Sequence, residues 1–153
     1  MSLIVNKKAP NFKLANQNNQ IIELANIKKG LILFFYPKDN TPGCTKEAIS
    51  FSKFKDKINN LGYQIYGISK DSIEKHQNFI TKQNLSIDLL SDYEQKVCES
   101  YKVWVEKSMY GRKYFGIERT TFLISKNQII LNIWNKVKVN NHVEDVITYL
   151  ENI

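Results

Sequence analysis

The stretch Tyr36 to Glu47, Y-P-K-D-N-T-P-G-C-T-K-E, combines a cysteine, two threonines and two prolines at a spacing that could do thiol chemistry. It follows the apolar run Leu31 to Phe35 and precedes an amphipathic run, so it reads as strand, loop, helix start. Thr41 is a fitting N-cap, and Pro42 a fitting first helical residue because its missing N–H costs nothing there. Cys44 then falls in the first turn, among N–H groups without intrahelical partners and at the positive end of the helix dipole. Both features favour the thiolate over the thiol. A capping box would hold Glu or Gln at this third helical position, so the sulfur occupies a place suited to an anion. The competing reading is a small buried hydrophobe, the fate of most free cysteines; the Thr-Pro-Gly context tips the balance toward reactivity.

Composition narrows the chemistry. Cys44 and Cys98 are too few for a disulfide scaffold, and with only His76 and His142 to help they are too few for a structural zinc site. No metal and no cofactor is expected, and a catalytic or redox role is what remains. The net charge of +7 raises nucleic acid as a partner, but the lysines are scattered rather than blocked together with interleaved aromatics, so they read as a solvated surface. At 153 residues, 42% hydrophobic and 24% charged, the chain fits one globular domain spanning residues 1–153. No run approaches the roughly 20 apolar residues of a membrane span, and M-S-L-I-V-N-K-K-A-P lacks the apolar core of a signal peptide. A cytoplasmic protein without membrane contact is expected.

The elements that must position Cys44 follow in order. Phe12 to Ala15 and Ile21 to Leu24, separated by polar Asn16 to Gln20, predict an N-terminal β-hairpin. Leu31 to Phe35 is a continuous apolar run, as expected of a central strand covered on both faces. Ala48, Phe51, Phe54, Ile58 and Leu61 recur at helical spacing on the face that carries Cys44, and the helix should stop near Gly62. Tyr63 to Ser69 reads as a strand; Lys70-Asp71-Ser72 opens a helix with Ile73, His76, Phe79 and Ile80, in which His76 is a packing or surface residue rather than a ligand. Ser86 to Leu90 reads as a short strand, Asp92 as an N-cap, and Val97, Cys98 and Tyr101 as a third helix. Lys102 to Gly116 reads as a loose, aromatic-rich connection. Thr120 to Ile124 and Ile129 to Trp134 predict a second hairpin, and Val143, Val146, Ile147 and Leu150 the stripe of a last helix. Alternating strands and helices imply an α/β sandwich with a mixed central sheet flanked by helices, an order that resembles a decorated thioredoxin fold. The chain has no C-x-x-C, which argues against thiol-disulfide exchange of the ordinary thioredoxin kind and toward a peroxide-reducing thiol.

Pro37, Thr41 and Cys44 match the P-x-x-x-T-x-x-C signature of the peroxiredoxins, and F-Y-P-K-D-N-T-P-G-C-T-K-E-A resembles the bacterioferritin comigratory protein, or peroxiredoxin Q, class. The resemblance continues through L-L-S-D at Leu89 to Asp92, Y-K-V-W at Tyr101 to Trp104, M-Y-G-R at Met109 to Arg112, G-I-E-R-T-T-F-L-I at Gly116 to Ile124, and W-N-K-V-K with His142 near the end. It implies a thiol-dependent peroxidase for hydrogen peroxide and organic hydroperoxides, with Cys44 as the attacking cysteine. Charge builds on the leaving oxygen, so donors are needed: the Thr41 hydroxyl, the N–H groups of Gly43 and Cys44, and the permanent charge of Arg119. Pro37 would shield the sulfur. Each has a plainer reading, a helix cap for Thr41, a strand stop for Pro37 and a surface charge for Arg119. Glu47, one turn after Cys44, is a candidate partner for Arg119, with no pairing as the equal alternative. Trp104, Trp134 and His142 read as packing residues.

One position departs from the class. Many members carry a resolving cysteine five residues after the first, where this chain has Ile49. A further subgroup is similar in placing it in the third helix, which implies that Cys98 resolves the oxidised Cys44 through an intramolecular disulfide, recycled by thioredoxin or a similar thiol. The alternative is a one-cysteine route in which an outside thiol reduces Cys44 directly. The class is often monomeric, and a monomer is expected.

Overall fold

The computed structural model of the chain describes residues 2–153. Among the described residues, nine strands and five α-helices alternate much as the periodicities require. The N-terminal hairpin is β1 (Lys13–Asn16) and β2 (Ile21–Glu23). Then come β3 (Gly30–Phe35), α1 (Pro42–Lys53), α2 (Lys55–Asn60), β4 (Tyr63–Ser69), α3 (Ile73–Gln83), β5 (Asp88–Ser91) and α4 (Lys96–Ser100). A β-ribbon of β6 (Trp104–Met109) and β7 (Arg112–Ile117) precedes β8 (Thr120–Ile124), β9 (Ile130–Trp134) and α5 (His142–Glu151). Seven strands make one mixed sheet in the order β2-β1-β5-β4-β3-β8-β9. β3 runs parallel to β4 and antiparallel to β8, and the N-terminal hairpin joins the far edge through Ala15 opposite Ser91.

β3 explains the layering. All six of its residues are buried, and because successive side chains point to opposite faces, they divide between two cores. Leu31, Leu33 and Phe35 pack with Phe12, Val97, Cys98, Tyr101 and Phe122 on one side. Ile32 and Phe34 pack with Cys44, Ala48, Phe51, Ile58, Phe79, Val146 and Leu150 on the other. Helices α1, α2, α3 and α5 therefore cover one face, while α4 and the N-terminal segment cover the reverse. Each fully buried side chain of this size contributes about 1.5–3 kcal/mol. Among the described residues no helix is long and apolar enough to cross a membrane.

Four local expectations need correction. The helix carrying Cys44 does not continue to Gly62; it breaks at Phe54 (φ −99°, ψ 11°) and restarts as α2, which keeps Ile58 inside and leaves Leu61 at the surface. Lys102 to Gly116 is not a loose connection but the β6–β7 ribbon, turned by Tyr110 and Gly111, both at positive φ as a two-residue hairpin turn requires. Asp92 is not the N-cap residue of α4, a place taken by Gln95. Its carboxylate reaches the helix from outside, accepting from the N–H groups of Val97 (3.3 Å) and Cys98 (2.7 Å). Thr41 holds the N-cap position of α1 without a side-chain cap bond; its hydroxyl donates instead to Lys38 O at 2.8 Å.

Candidate active site

The antiparallel register of β3 and β8 pairs Phe35 with Thr120, so the chain leaves β3 into the Tyr36–Thr41 loop just where Arg119 enters β8. Pro42 opens α1, and Cys44 is buried in its first turn at 1% exposure. The first intrahelical bond runs from Thr45 N to Thr41 O, leaving the N–H groups of Gly43 and Cys44 outside the helical ladder.

Arg119 closes the site. Its Nη2 donates to Cys44 Sγ at 3.3 Å, and its Nη1 donates to Glu47 Oε1 at 2.7 Å. Helical spacing explains the bridge: Cys44 and Glu47 are three residues apart, on one face of α1, and a planar guanidinium can serve both at once. Gly43 makes room for it, since a Cβ there would lie 3.2 Å from Nη2. The backbone of Arg119 is anchored as its carbonyl accepts from Val137 N at 2.9 Å. Burial opposes the Arg119 charge, but Glu47 and Cys44 together outweigh it and hold the pKa above its ordinary value.

Glu47 is fully buried, and its Oε2 has no hydrogen-bond partner. Burial pushes its carboxyl up to about 7, despite the opposing pull of Arg119. Both shifts of this 2.7 Å pair are upward, which favours the charged form of Arg119 but the neutral form of Glu47; the orphaned oxygen supports the neutral Glu47, because ionisation would leave a charged oxygen unpaired. Lys107, a residue that sequence reasoning did not single out, stands beyond Arg119. Burial first and Arg119 second lower its pKa, with Cys44 and Glu118 pulling the other way. No local pattern in the ribbon sequence marks Lys107; it is the hairpin turn that folds it back.

Comparison with known proteins meets this geometry directly. Residues 5–133 match the AhpC/TSA family. The chain is 49% identical over 148 residues to a putative peroxiredoxin bcp of Coxiella burnetii, covering 96% of this chain and 98% of that one. Its fold is similar to that of Xylella fastidiosa PrxQ at a TM-score of 0.94 and 32% identity, covering 99% and 98% of the two chains. It is also similar, at a TM-score of 0.87 and 37% identity, to Xanthomonas campestris bacterioferritin comigratory protein, covering 92% and 90%. That protein was solved as trapped intermediate and ligand complexes bearing on its alkyl peroxide reduction activity.

The chain belongs to the AhpC/TSA family. It is a peroxiredoxin of the Bcp class, a thiol-dependent peroxidase on a thioredoxin-type fold.

Of the residues singled out by sequence, this peroxiredoxin brings Gly43, Cys44, Glu47 and Arg119 together, Thr41 stands at the N-cap of the same helix with its hydroxyl bonded to Lys38 O, and Pro37 lines a groove of about 290 Å³ with Lys70, Trp104, Lys107 and Phe115. Cys98 is elsewhere. It is fully buried on the reverse face of the sheet, both cysteines are free thiols, and burial followed by Asp92 pushes the Cys98 thiol far above its usual range.

His142, buried at the start of α5, bonds Thr121 Oγ1 through Nε2 at 2.8 Å and packs edge-on against Phe51 and Trp134. Burial pushes it down to about 4, so it is neutral and structural at neutral pH. His76 is fully buried and hydrogen-bonded to the Cys44 loop, which helical spacing alone did not reveal. Asp39, Asp71 and His76 bring one ligand atom each within 4.8 Å of one another. Those atoms are already bonded to each other, to Ser69 and to the Asp39 backbone, so they form a hydrogen-bonded node rather than a metal cradle.

Proposed function

We propose that Cys44 is the nucleophile of the peroxidase. Its thiolate attacks one oxygen of ROOH, the O–O bond breaks, the sulfur becomes a sulfenic acid, and the departing RO⁻ takes a proton to leave as ROH. The observation that carries the reading is the Arg119 bridge, a permanent cation 3.3 Å from the sulfur and fixed by a buried carboxylate. It meets the charge that moves from sulfur to the leaving oxygen, with the Gly43 and Cys44 N–H groups supplying further donors. Thr41 takes a different part from that of a donor. Its O–H is spent on Lys38 O, so what it offers a hydroperoxide is an oxygen lone pair that accepts the substrate O–H. The groove beside Pro37, lined by Trp104 and Phe115, provides apolar surface for the R group of an organic hydroperoxide.

For the return half of the cycle, the geometry supports the one-cysteine route better than a Cys44–Cys98 disulfide, because the two thiols face different cores. An outside thiol such as thioredoxin attacks the sulfenic sulfur, water leaves, and a second thiol releases Cys44 from the mixed disulfide. Peroxide consumption with dithiothreitol or thioredoxin as reductant tests the central reading. Cys44→Ser should show none, since a serine hydroxyl is essentially un-ionised at neutral pH; turnover retained in that variant ends the assignment.

A further inference from the structure

The loop that carries Pro37 and Thr41 is held from behind by a chain of buried polar groups. His76 is fully buried, and both of its ring nitrogens face acceptors: Nε2 lies 3.0 Å from Leu90 O, and Nδ1 lies 2.7 Å from Asp39 Oδ2. A carbonyl can only accept, so Nε2 carries a proton. The 2.7 Å contact to Asp39 needs a second proton, whether it resides on nitrogen or on oxygen. The other Asp39 oxygen accepts the Tyr36 hydroxyl at 2.6 Å, and the Asp39 N–H donates to Asp71 Oδ2 at 2.8 Å. The amide joining Lys38 and Asp39 is thus gripped at its N–H by Asp71, while its carbonyl, Lys38 O, receives the Thr41 hydroxyl. Rotation of that amide would break the contact that orients the Thr41 hydroxyl at the N-cap of the Cys44 helix.

We propose that His76 is a positioning residue for peroxide reduction: with Asp39 it forms a two-proton latch that fixes the Lys38–Asp39 amide and so orients the Thr41 hydroxyl at the start of the Cys44 helix. The inference rests on Cys44 and Thr41 acting as described above. The pair is neutral overall, because two protons shared by one imidazole and one carboxylate leave no net charge, and this lets it sit in an apolar core. The groups facing it are Tyr36 from the end of β3, Ser69 and Asp71 from the end of β4, and the Leu90 carbonyl from β5. The latch therefore ties the loop to three strand ends and to α3.

The test is the second-order rate at which hydrogen peroxide consumes the titratable Cys44 thiol in a single turnover, per folded molecule and well below the melting temperature. His76→Phe keeps an aromatic ring but serves neither acceptor, and the rate should fall about tenfold or more, as loss of alignment around a reacting atom does. Asp39→Asn is the conservative rescue. Its amide can donate to Nδ1 of a neutral His76 that keeps its proton on Nε2, and its oxygen can still accept from Tyr36, so the rate should stay within about threefold of the parent. Ile147→Ala, on α5 in the same core but with no part in the latch, controls for stability: it should lower the melting temperature and leave the rate unchanged. Should the phenylalanine variant fail to fold, His76→Gln, which can serve only one of the two acceptors, is read by the same criterion. A His76 variant that reacts at the parent rate overturns the proposal, and so does Asp39→Asn being as slow as the His76 variants. Because the readout is Cys44 oxidation itself, failure of the Cys44 assignment would show separately, as peroxide consumption that survives Cys44→Ser.

Discussion

Arg119 works at the site only because its neighbours leave it one position. Arg119→Met should preserve the fold and slow peroxide reduction about a hundredfold, the cost of losing one charged donor to a developing anion, on the order of 3 kcal/mol. Gly43→Ala probes the same contact more gently. Its new Cβ would crowd Nη2 to 3.2 Å, so the guanidinium must shift by a few tenths of an ångström, and the oxidation rate should drop by less than in Arg119→Met but measurably. Rates equal to the parent in both variants would reduce Arg119 to a structural ion-pair partner. Glu47 adds a pH signature. Its folded value of about 7 lies above the ordinary 4.5, so the folded state holds the extra proton; the stability it contributes is full below pH 4.5 and is lost as pH rises through 7. His142 runs the other way, from 6.5 down to about 4, contributing stability above pH 6.5 that is lost as pH falls through 4. Between pH 4.5 and 6.5 the two slopes oppose. Glu47→Gln should remove one of them, so that the variant's melting temperature rises with pH across that window more steeply than the parent's. Parallel melting profiles for the two proteins would show that Glu47 does not titrate there.

At the scale of elements, the least legible segment in the sequence is the one that shapes the groove. V-W-V-E-K-S-M and R-K-Y-F-G-I form β6 and β7, yet the ribbon stands apart from the main sheet, so both of its faces mix charged and apolar residues and the alternation that marks a half-buried strand is missing. Its turn was readable in principle from Tyr110-Gly111, although tyrosine rarely takes the left-handed conformation seen here. The α1–α2 break was hidden for another reason: Ala48, Phe51 and Ile58 keep helical spacing across it, and only the rotation at Phe54 separates the two pieces. By contrast the Cys44 turn was legible, because Thr41 and Pro42 take the N-cap and first helical positions that their local preferences indicate, although the Thr41 hydroxyl makes no cap bond and turns to Lys38 O. The ribbon carries its own prediction. Phe115 is 59% exposed, so its removal leaves little core to lose, but it walls the groove beside Pro37. Phe115→Ala should raise the KM for cumene hydroperoxide several-fold and leave the rate with hydrogen peroxide unchanged. Equal effects on both substrates would mean that the groove does not hold the R group.

At the scale of the whole molecule, the sheet separates the two thiols. The sequence placed Cys44 and Cys98 each on a helix, and the apolar run in β3 announced a strand covered on both sides, but nothing local says which helix covers which side. That is decided by the crossovers: α1, α2, α3 and α5 fall on one face and α4 on the other, so a pairing suggested by the absence of a nearer cysteine meets a layer of buried side chains. A disulfide needs Cα atoms within about 7 Å, and here it would require α4 to leave its core. The barrier is considerable, for Cys98 packs with Phe35, Tyr101 and Phe122 and its N–H is held by Asp92 at 2.7 Å. Its thiol, pushed far up by burial, is also a poor source of the thiolate that exchange requires. After one equivalent of peroxide without reductant, we therefore expect peptide mapping under non-reducing conditions to find a sulfenic or sulfinic Cys44 beside a Cys98 that alkylates only after denaturation. Adding a small thiol should yield a mixed disulfide on Cys44 alone, and Cys98→Ala should turn over at the parent rate. A Cys44–Cys98 linked peptide formed within the turnover time would sink the one-cysteine route, and with it the view that the sheet keeps the two thiols apart during catalysis.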